Sequence, residues 1–290
     1  MTKTDNGTDE NVMIAGIRQI LSLCRAELDR PHTPEGDPDA QRGICRDMHL
    51  AGPDGNPINP PGEPLRLPAA ITDMMPARAS FFDGQLLRAL DDGITQVVIC
   101  GAGYDDRALR FRKTGVRYFE LDRPYVVTDK AQRLEAMGAD TSHLTLVGMD
   151  FAVTSVTDAL LGAGHDPSVP TLFVAEHLLV FLPEPTAVRF VRGIRAAAAA
   201  GSRLAASVEV HPDHLSTEQV VTENNARFFG PASPPPMPLM RRRREHLAML
   251  EEAGWQIERR DEIVGVFHTD LIDTQYVSAT DGPVQELPSM

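Results

Sequence analysis

A glycine turn after an apolar segment is the first feature of this sequence that could bind a ligand. Val97 to Cys100 is a continuous apolar run rich in β-branched residues, and Gly101-Ala-Gly103 follows it directly. Such a run is typical of a strand buried on both faces of a parallel sheet. Glycines allow a tight turn and a close approach of the backbone to a ligand. The segment therefore predicts a strand, a ligand-binding turn and a helix.

Two aspartates in this turn restrict the ligand. A dinucleotide fingerprint requires a third glycine where this chain has Asp106, and Asp105 precedes it. Two carboxylates at this place would repel a pyrophosphate. S-adenosylmethionine has an adenosine end and a cationic centre without phosphate, so it fits the turn better. Either aspartate has the alternative role of capping the helix, which is compatible with this ligand.

Acidic residues also follow the other predicted strands. Asp105, Asp122, Asp150 and Glu176 fall at or just beyond the ends of the first four strands. In an open α/β sheet, these ends form the binding crevice. Asp122 lies about twenty residues after the glycine turn, where an acid accepts hydrogen bonds from both ribose hydroxyls. We expect the four acids to surround one ligand, although each alone is compatible with a solvated loop.

The rest of the pattern predicts a doubly wound α/β sheet with right-handed crossovers, because strands alternate with segments of helical spacing. The predicted strands are residues 97–100, 116–121, 144–149, 171–175, 203–210, 255–259 and 263–267.

Two further segments are expected to cover this sheet. Residues 1–90 form a predicted N-terminal cover, with an amphipathic helix over residues 12–28 and an irregular stretch over residues 31–68. Residues 91–290 form the predicted ligand-binding core. Within it, the proline-rich residues 211–240 interrupt the alternation and predict a lid inserted over the site.

Composition limits the partners. The 290-residue chain is 42% hydrophobic, enough for a large core, and its net charge of -13 argues against a nucleic-acid partner. No apolar run approaches the roughly 18 residues of a membrane span, and the polar N-terminus lacks a signal-peptide core. We therefore predict a cytoplasmic protein without a membrane partner, and leave its oligomeric state open. His211 and His214 have no evident third ligand, so no metal site is predicted.

Five motifs resemble those of the leucine carboxyl methyltransferase family. They are ARASFF at 77–82, QVVICGAGYDDRALRF at 96–111, YFELDRP at 118–124, Asp150-Phe151, and VAEHLLVFLPE at 174–184. Together they are far more specific than a single glycine motif. The resemblance implies a Rossmann-like class I methyltransferase fold that uses S-adenosylmethionine. The family includes an enzyme that methylates a phosphatase C-terminus and bacterial relatives that O-methylate small molecules.

The resemblance also implies contacts with the amino-acid part of the cofactor. Arg78 would meet the methionine carboxylate, and Glu176 would face the methionyl ammonium group. Gly101 and Gly103 would bring the backbone close to the cofactor.

At the adenosine end, the resemblance implies that Asp122 holds the ribose hydroxyls. Asp150 would accept a hydrogen bond from the adenine amino group, with Phe151 beside the ring.

Two positions depart from the family pattern. His177 stands where a small residue is usual, and Phe181 replaces a tyrosine that can hold an acceptor carboxylate. A carboxylate acceptor is ionised at neutral pH and needs no base, whereas an alcohol or phenol benefits from one. His177 is the candidate base. A histidine satisfied by packing is the alternative.

The sequence thus predicts an S-adenosylmethionine-dependent O-methyltransferase that acts on a small molecule in natural-product biosynthesis, with a carboxylate acceptor slightly favoured over a hydroxyl. One alternative is an NAD(P)-dependent oxidoreductase, which Asp105 and Asp106 disfavour. The other is a methyltransferase-like protein that binds the cofactor without transferring a methyl group.

Overall fold

The computed structural model describes residues 18–48, 75–210, 216, 242–261 and 273–280. The strands form one seven-stranded sheet. They are β1 (Gln96–Cys100), β2 (Arg117–Asp122), β3 (Leu144–Gly148), β4 (Thr171–Ala175), β5 (Arg203–Val210), β6 (Gln256–Asp261) and β7 (Asp273–Thr280).

The sheet order is β3-β2-β1-β4-β5-β7-β6. Strands β1 to β5 pair in parallel, and β7 lies antiparallel between β5 and β6. The order reverses at β1, so the carboxyl ends of β1 and β4 border a crevice suited to a ligand.

Helices cover both faces of the sheet. Helix α1 comprises residues 18–26. The others are α2 (Ala40–Cys45), α3 (Met75–Asp91), α4 (Arg107–Arg110), α5 (Pro124–Ala136), α6 (Val156–Gly162), α7 (Glu184–Ala196) and α8 (Arg243–Glu252), with a 3₁₀ turn at Leu179–Phe181.

The alternation of side chains along β1 divides the core into two layers. Val98 and Cys100 pack in a cluster with residues of α6, α7 and α8, whereas Val97 and Ile99 pack in a cluster with residues of α3. Successive side chains of a strand point to opposite faces, so an apolar strand of this kind needs a helical layer on each side. This requirement explains the continuous apolar run in the sequence.

The structure confirms the predicted α/β fold and its class I methyltransferase arrangement. The bounds of β4 and β5 are those predicted from the sequence. Helix α2 lies within residues 31–68, which were expected to be irregular throughout. Strand β7 was not predicted, because its sequence DTQYVSAT contains few large apolar residues.

Several predictions fall on residues that the structure does not describe. These include the start of the helix at 12–28, the lid at 211–240 apart from Ser216, and the strand at 263–267. The division into a cover and a core stays a prediction. Among the described helices, none is both long enough and apolar enough to cross a membrane.

Replacement of Phe173 tests the packing of the central sheet. Phe173 is 0% exposed and its ring lies 6.1 Å from that of Trp255. Phe173→Ala should lower the free energy of unfolding by about 3–5 kcal/mol, because it leaves a cavity in the core. Urea denaturation followed by circular dichroism measures the change. Val153→Ala, at a residue that is 84% exposed, is the control and should change stability by less than about 0.5 kcal/mol.

Candidate functional site

One cavity of about 170 Å³ lies at the carboxyl ends of the central strands. The structure brings together all of the site residues predicted from the sequence. Those lining the cavity are Arg78, Gly101, Gly103, Asp122, Asp150, Phe151, Glu176 and His177.

The glycine turn is fixed to the end of β2. The amides of Gly101 and Ala102 donate to the Leu121 carbonyl at 2.8 and 3.1 Å. Gly101 has φ 65° and Gly103 has φ 53°, a region that favours glycine. A Cβ added at Gly101 would lie 2.9 Å from Cδ1 of Leu178. Both the backbone conformation and the available space therefore require glycine beside the cavity.

Asp122 holds the same turn through its side chain. Its Oδ2 accepts from the Gly103 amide at 2.7 Å and its Oδ1 accepts from the Arg123 amide at 2.7 Å. Nη2 of Arg18, from α1, lies 3.6 Å from Oδ1. The carboxylate is thus held in one orientation at the cavity wall, where it can accept further hydrogen bonds.

Glu176 is surrounded by guanidinium groups from three helices. Oε1 accepts from Nη2 of Arg25 at 2.8 Å and from Nε of Arg78 at 2.5 Å, and Oε2 accepts from Nη1 of Arg107 at 2.5 Å. Burial alone would raise the pKa of Glu176, but the three arginines outweigh it and hold that pKa well below its usual range. Glu176 is therefore ionised at neutral pH.

The structure corrects the expectation that the carboxylates of Asp105 and Asp106 would repel a pyrophosphate. Oδ2 of Asp105 lies 2.6 Å from Nη1 of Arg107 and 3.4 Å from Nη1 of Arg25. Asp106 pairs with Arg30 at 2.7 Å and Arg110 at 2.6 Å. Their charges are compensated, so they do not by themselves select a ligand without phosphate.

The capping alternative holds in part for these aspartates. Oδ1 of Asp105 accepts from the Arg107 amide at 2.8 Å at the start of α4. Asp106 occupies the N-cap position but forms no side-chain cap.

These ion pairs join into one buried arginine network. Five guanidinium groups face four carboxylates, leaving one surplus positive charge. The members are Arg25, Arg30, Arg78, Arg107, Arg110, Asp83, Asp105, Asp106 and Glu176.

The arginine network fits the carboxylate of S-adenosylmethionine. Nε of Arg25 and Nη2 of Arg107 are buried and have no hydrogen-bond partner among the described residues. Arg25 and Arg78 both line the cavity. A ligand carboxylate beside Arg25 and Arg78 would balance the surplus positive charge. Without such a partner, a buried positive charge lowers the stability of the fold.

The other end of the cavity has a different character. Oδ1 of Asp150 accepts from the Ala152 amide at 2.8 Å, and the side chain is exposed. The ring of Phe151 packs edge-to-face against Phe190, with centroids 5.3 Å apart and an interplanar angle of 86°. This contact fixes a flat apolar surface next to a hydrogen-bond acceptor, a combination suited to a nucleobase.

His177 is held by two residues of β5. Its amide donates to Oγ of Ser207 at 2.7 Å, and its Nδ1 lies 2.8 Å from Oε1 of Glu209. Its ring packs edge-to-face against Phe181, with centroids 5.2 Å apart. The structure thus places the predicted base at the cavity wall and gives it a carboxylate partner.

Sequence reasoning missed four residues of this site. Arg18 and Arg25 are seven residues apart, a spacing that puts both on one face of α1, and this was the available signal. Ser207 and Glu209 alternate along β5 and so share a face of the sheet. A glutamate between two valines within a predicted strand was the signal for Glu209.

No group of three or more metal-ligating side chains occurs in the described part of the chain. His211 and His214 lie outside that part.

Replacement of Asp83 tests the arginine network away from the cavity. Asp83 is 1% exposed and accepts from Arg30 at 2.8 and 3.0 Å and from Arg107 at 2.7 Å. Asp83→Asn should lower the free energy of unfolding by about 3–5 kcal/mol, because it leaves buried arginines uncompensated. Chemical denaturation measures this loss.

The matched control is Asp39→Asn, which breaks an exposed ion pair with Arg42 at 3.0 Å. It should change stability by less than about 1 kcal/mol. Equal effects of the two substitutions would contradict the importance of the buried network.

Comparison with known proteins identifies the family of this chain. The family model for leucine carboxyl methyltransferase matches residues 40–195. A candidate S-adenosyl-L-methionine-dependent methyltransferase of Mycolicibacterium gilvum is 41% identical over 232 residues, covering 76% of this chain and 74% of the relative. Another from Mycolicibacterium smegmatis is 36% identical over 221 residues, covering 74% and 72%.

A solved structure shows the same fold at low sequence identity. It is magnesium protoporphyrin IX methyltransferase from Synechocystis PCC 6803 with bound SAH, which is 15% identical and has a TM-score of 0.51. The likeness covers 76% of this chain and 90% of that one. With a family model that matches more than half of its residues, the chain belongs to the leucine carboxyl methyltransferase family.

Proposed function

We propose that this protein is an S-adenosylmethionine-dependent O-methyltransferase that acts on a small molecule in natural-product biosynthesis. The S-adenosylmethionine-dependent methyltransferase class follows from the family and the relatives. Transfer to oxygen, the small acceptor and the biosynthetic role are the proposal. The observation that carries it is one cavity lined by all of the predicted donor-binding residues together with His177.

The charged half of this cavity is proposed to hold the amino-acid part of the donor. Arg78, supported by Arg25, would bind the carboxylate, because both line the cavity and belong to a network with surplus positive charge. Glu176 would face the ammonium group, although three arginines already compensate it. The backbone at Gly101 and Gly103 would pass close to the same part of the ligand.

The adenosine would lie toward β2 and β3. Asp122 would accept hydrogen bonds from the ribose hydroxyls, since the Gly103 and Arg123 amides already fix its orientation. Asp150 would accept from the adenine amino group, and Phe151 would lie beside the ring.

The bound cofactor supplies a methyl group on a sulfonium centre. The residues of this chain align donor and acceptor and exclude water from the crevice, which is the main task in an in-line displacement. Next to His177, the wall of the cavity consists of Leu178, Phe181 and Leu182. This apolar wall favours a small acceptor with an apolar body over a polar peptide terminus.

The sequence left two alternative functions open, an oxidoreductase and a protein that only binds the cofactor. An NAD(P)-dependent oxidoreductase loses its basis, because the chain belongs to a methyltransferase family. A protein that binds the cofactor without transferring its methyl group is distinguished by measuring transfer of a labelled methyl group from S-adenosylmethionine.

Loss of the Asp122 carboxylate tests the donor site. Asp122→Ala should weaken binding of S-adenosylhomocysteine by about 10- to 100-fold, because hydrogen bonds to a charged group contribute about 1.5–3 kcal/mol. Isothermal titration calorimetry on wild type and variant measures the change, with NADH titrated in parallel. The control is Asp166→Ala, an exposed aspartate hydrogen-bonded to Ser168. Preference for NADH, or unchanged affinity in Asp122→Ala, would contradict the proposal.

Replacement of Arg78 tests the carboxylate contact alone. Arg78→Ala should weaken S-adenosylhomocysteine by about 10- to 100-fold but change the affinity of 5′-methylthioadenosine, which has no carboxylate, by less than about threefold. Glu176 retains Arg25 and Arg107 in this variant. Calorimetry with both ligands measures the ratio of affinities, and the exposed Arg42→Ala is the control. An equal loss of affinity for both ligands would mean that Arg78 supports the folding of the site and does not bind the ligand carboxylate.

A further inference from the structure

We infer that the methyl acceptor is a hydroxyl compound, that His177 removes its proton, and that Glu209 positions the His177 ring. This inference rests on the proposed methyltransferase function. It reverses the slight preference for a carboxylate acceptor that the sequence supported.

The tautomer of His177 follows from its partner. An ionised carboxylate can only accept a hydrogen bond, so Nδ1 of His177 donates to Oε1 of Glu209 at 2.8 Å. In the neutral ring, Nε2 then carries the lone pair. His177 lines the cavity. This tautomer is the one that a proton acceptor needs there.

The backbone of His177 shows that its position is enforced. Its φ of 51° lies in the left-handed region, which is strained for a residue other than glycine. Two hydrogen bonds to β5 hold it there. One runs from the His177 amide to Oγ of Ser207, and the other joins Nδ1 of His177 to Oε1 of Glu209. A histidine that merely filled space would not require both anchors.

Glu209 is ionised despite its burial. Burial raises its pKa, but the hydrogen bond from His177 and the positive charge that this ring carries once protonated, with smaller contributions from His246 and Arg78, outweigh this effect and lower that pKa below its usual value. The titratable or charged groups near the pair include His246 on α8 and Arg78 on α3. Oε2 of Glu209 has no hydrogen-bond partner among the described residues.

The surroundings favour a neutral acceptor. A carboxylate acceptor needs no base, and placing one next to the buried charge of Glu209 would be unfavourable. Phe181 also offers no hydroxyl to such a group, and its ring lies 5.2 Å from the His177 ring. A phenol or an apolar alcohol satisfies both the base and the apolar wall.

The proposed reaction is a direct transfer of the methyl group to the acceptor oxygen. The acceptor oxygen attacks the methyl carbon while its proton passes to Nε2 of His177. The carbon–sulfur bond breaks, and its electron pair returns to sulfur, which becomes the neutral thioether of S-adenosylhomocysteine. The products are a methyl ether and an imidazolium ring that the Glu209 carboxylate stabilises.

The test combines transfer assays with a measurement on the enzyme without acceptor. Tritiated S-adenosylmethionine is offered at neutral pH with the matched pairs 4-methylphenol and 4-methylbenzoate, and 1-naphthol and 1-naphthoate, because both hydroxyl compounds keep their proton at this pH. We expect methyl transfer to the hydroxyl compounds. His177→Ala should lower kcat at least about 100-fold, and Glu209→Gln should lower kcat about 10-fold with little change in KM. The exposed His32→Gln should retain full activity.

Long-range ¹H–¹⁵N NMR of the S-adenosylhomocysteine complex reports the tautomer directly. Wild type should carry its proton on Nδ1 of His177, and Glu209→Ala should lose this preference. Methylation of the carboxylates that is unchanged in His177→Ala, or a proton on Nε2 in wild type, would overturn the inference while leaving the methyltransferase function in place. If the wild type does not bind S-adenosylhomocysteine, the proposed function itself is contradicted.

Discussion

Compensation of buried charge is the constraint on which the architecture of this site depends. Glu176 and Asp105 come from loops after β4 and β1, and the structure buries both. An unpaired buried carboxylate costs several kcal/mol. Arg25 and Arg107 supply the opposite charge, the first from α1 and the second from α4. The N-terminal helix is therefore part of the site, because removing it would leave these acids underpaired.

The same constraint also separates the charged end of the cavity from the acceptor end beside His177. On one side, the arginine network has more positive than negative charge and is ready for an anionic group. On the other, Leu178, Phe181 and Leu182 line the cavity next to His177, whose ring is paired with Glu209. A donor with a carboxylate and an acceptor with an apolar body suit these two ends, and the crevice between them is where they would meet.

Much of the fold was predictable because it depends on local patterns. The sequence patterns at Thr171–Ala175 and Arg203–Val210 predicted strands with the bounds that the structure shows. The acids at strand ends meet at one edge, as parallel strands require. The partners of those acids were not predictable. Arg25 and Glu176 are 151 residues apart, and periodicity carries no information about such contacts. Strand β7 was missed for a related reason, since it depends on pairing with β5 and not on its own apolar content.

The most direct test of this account is a crystal structure of the protein with S-adenosylhomocysteine. We expect the ligand in the cavity at the ends of β1, β2 and β4, with its carboxylate hydrogen-bonded to Arg78 or Arg25 and its ribose hydroxyls to Asp122. The sulfur should face the side of the cavity that holds His177. A ligand outside this cavity, or one with its carboxylate turned away from the arginine network, would contradict the account.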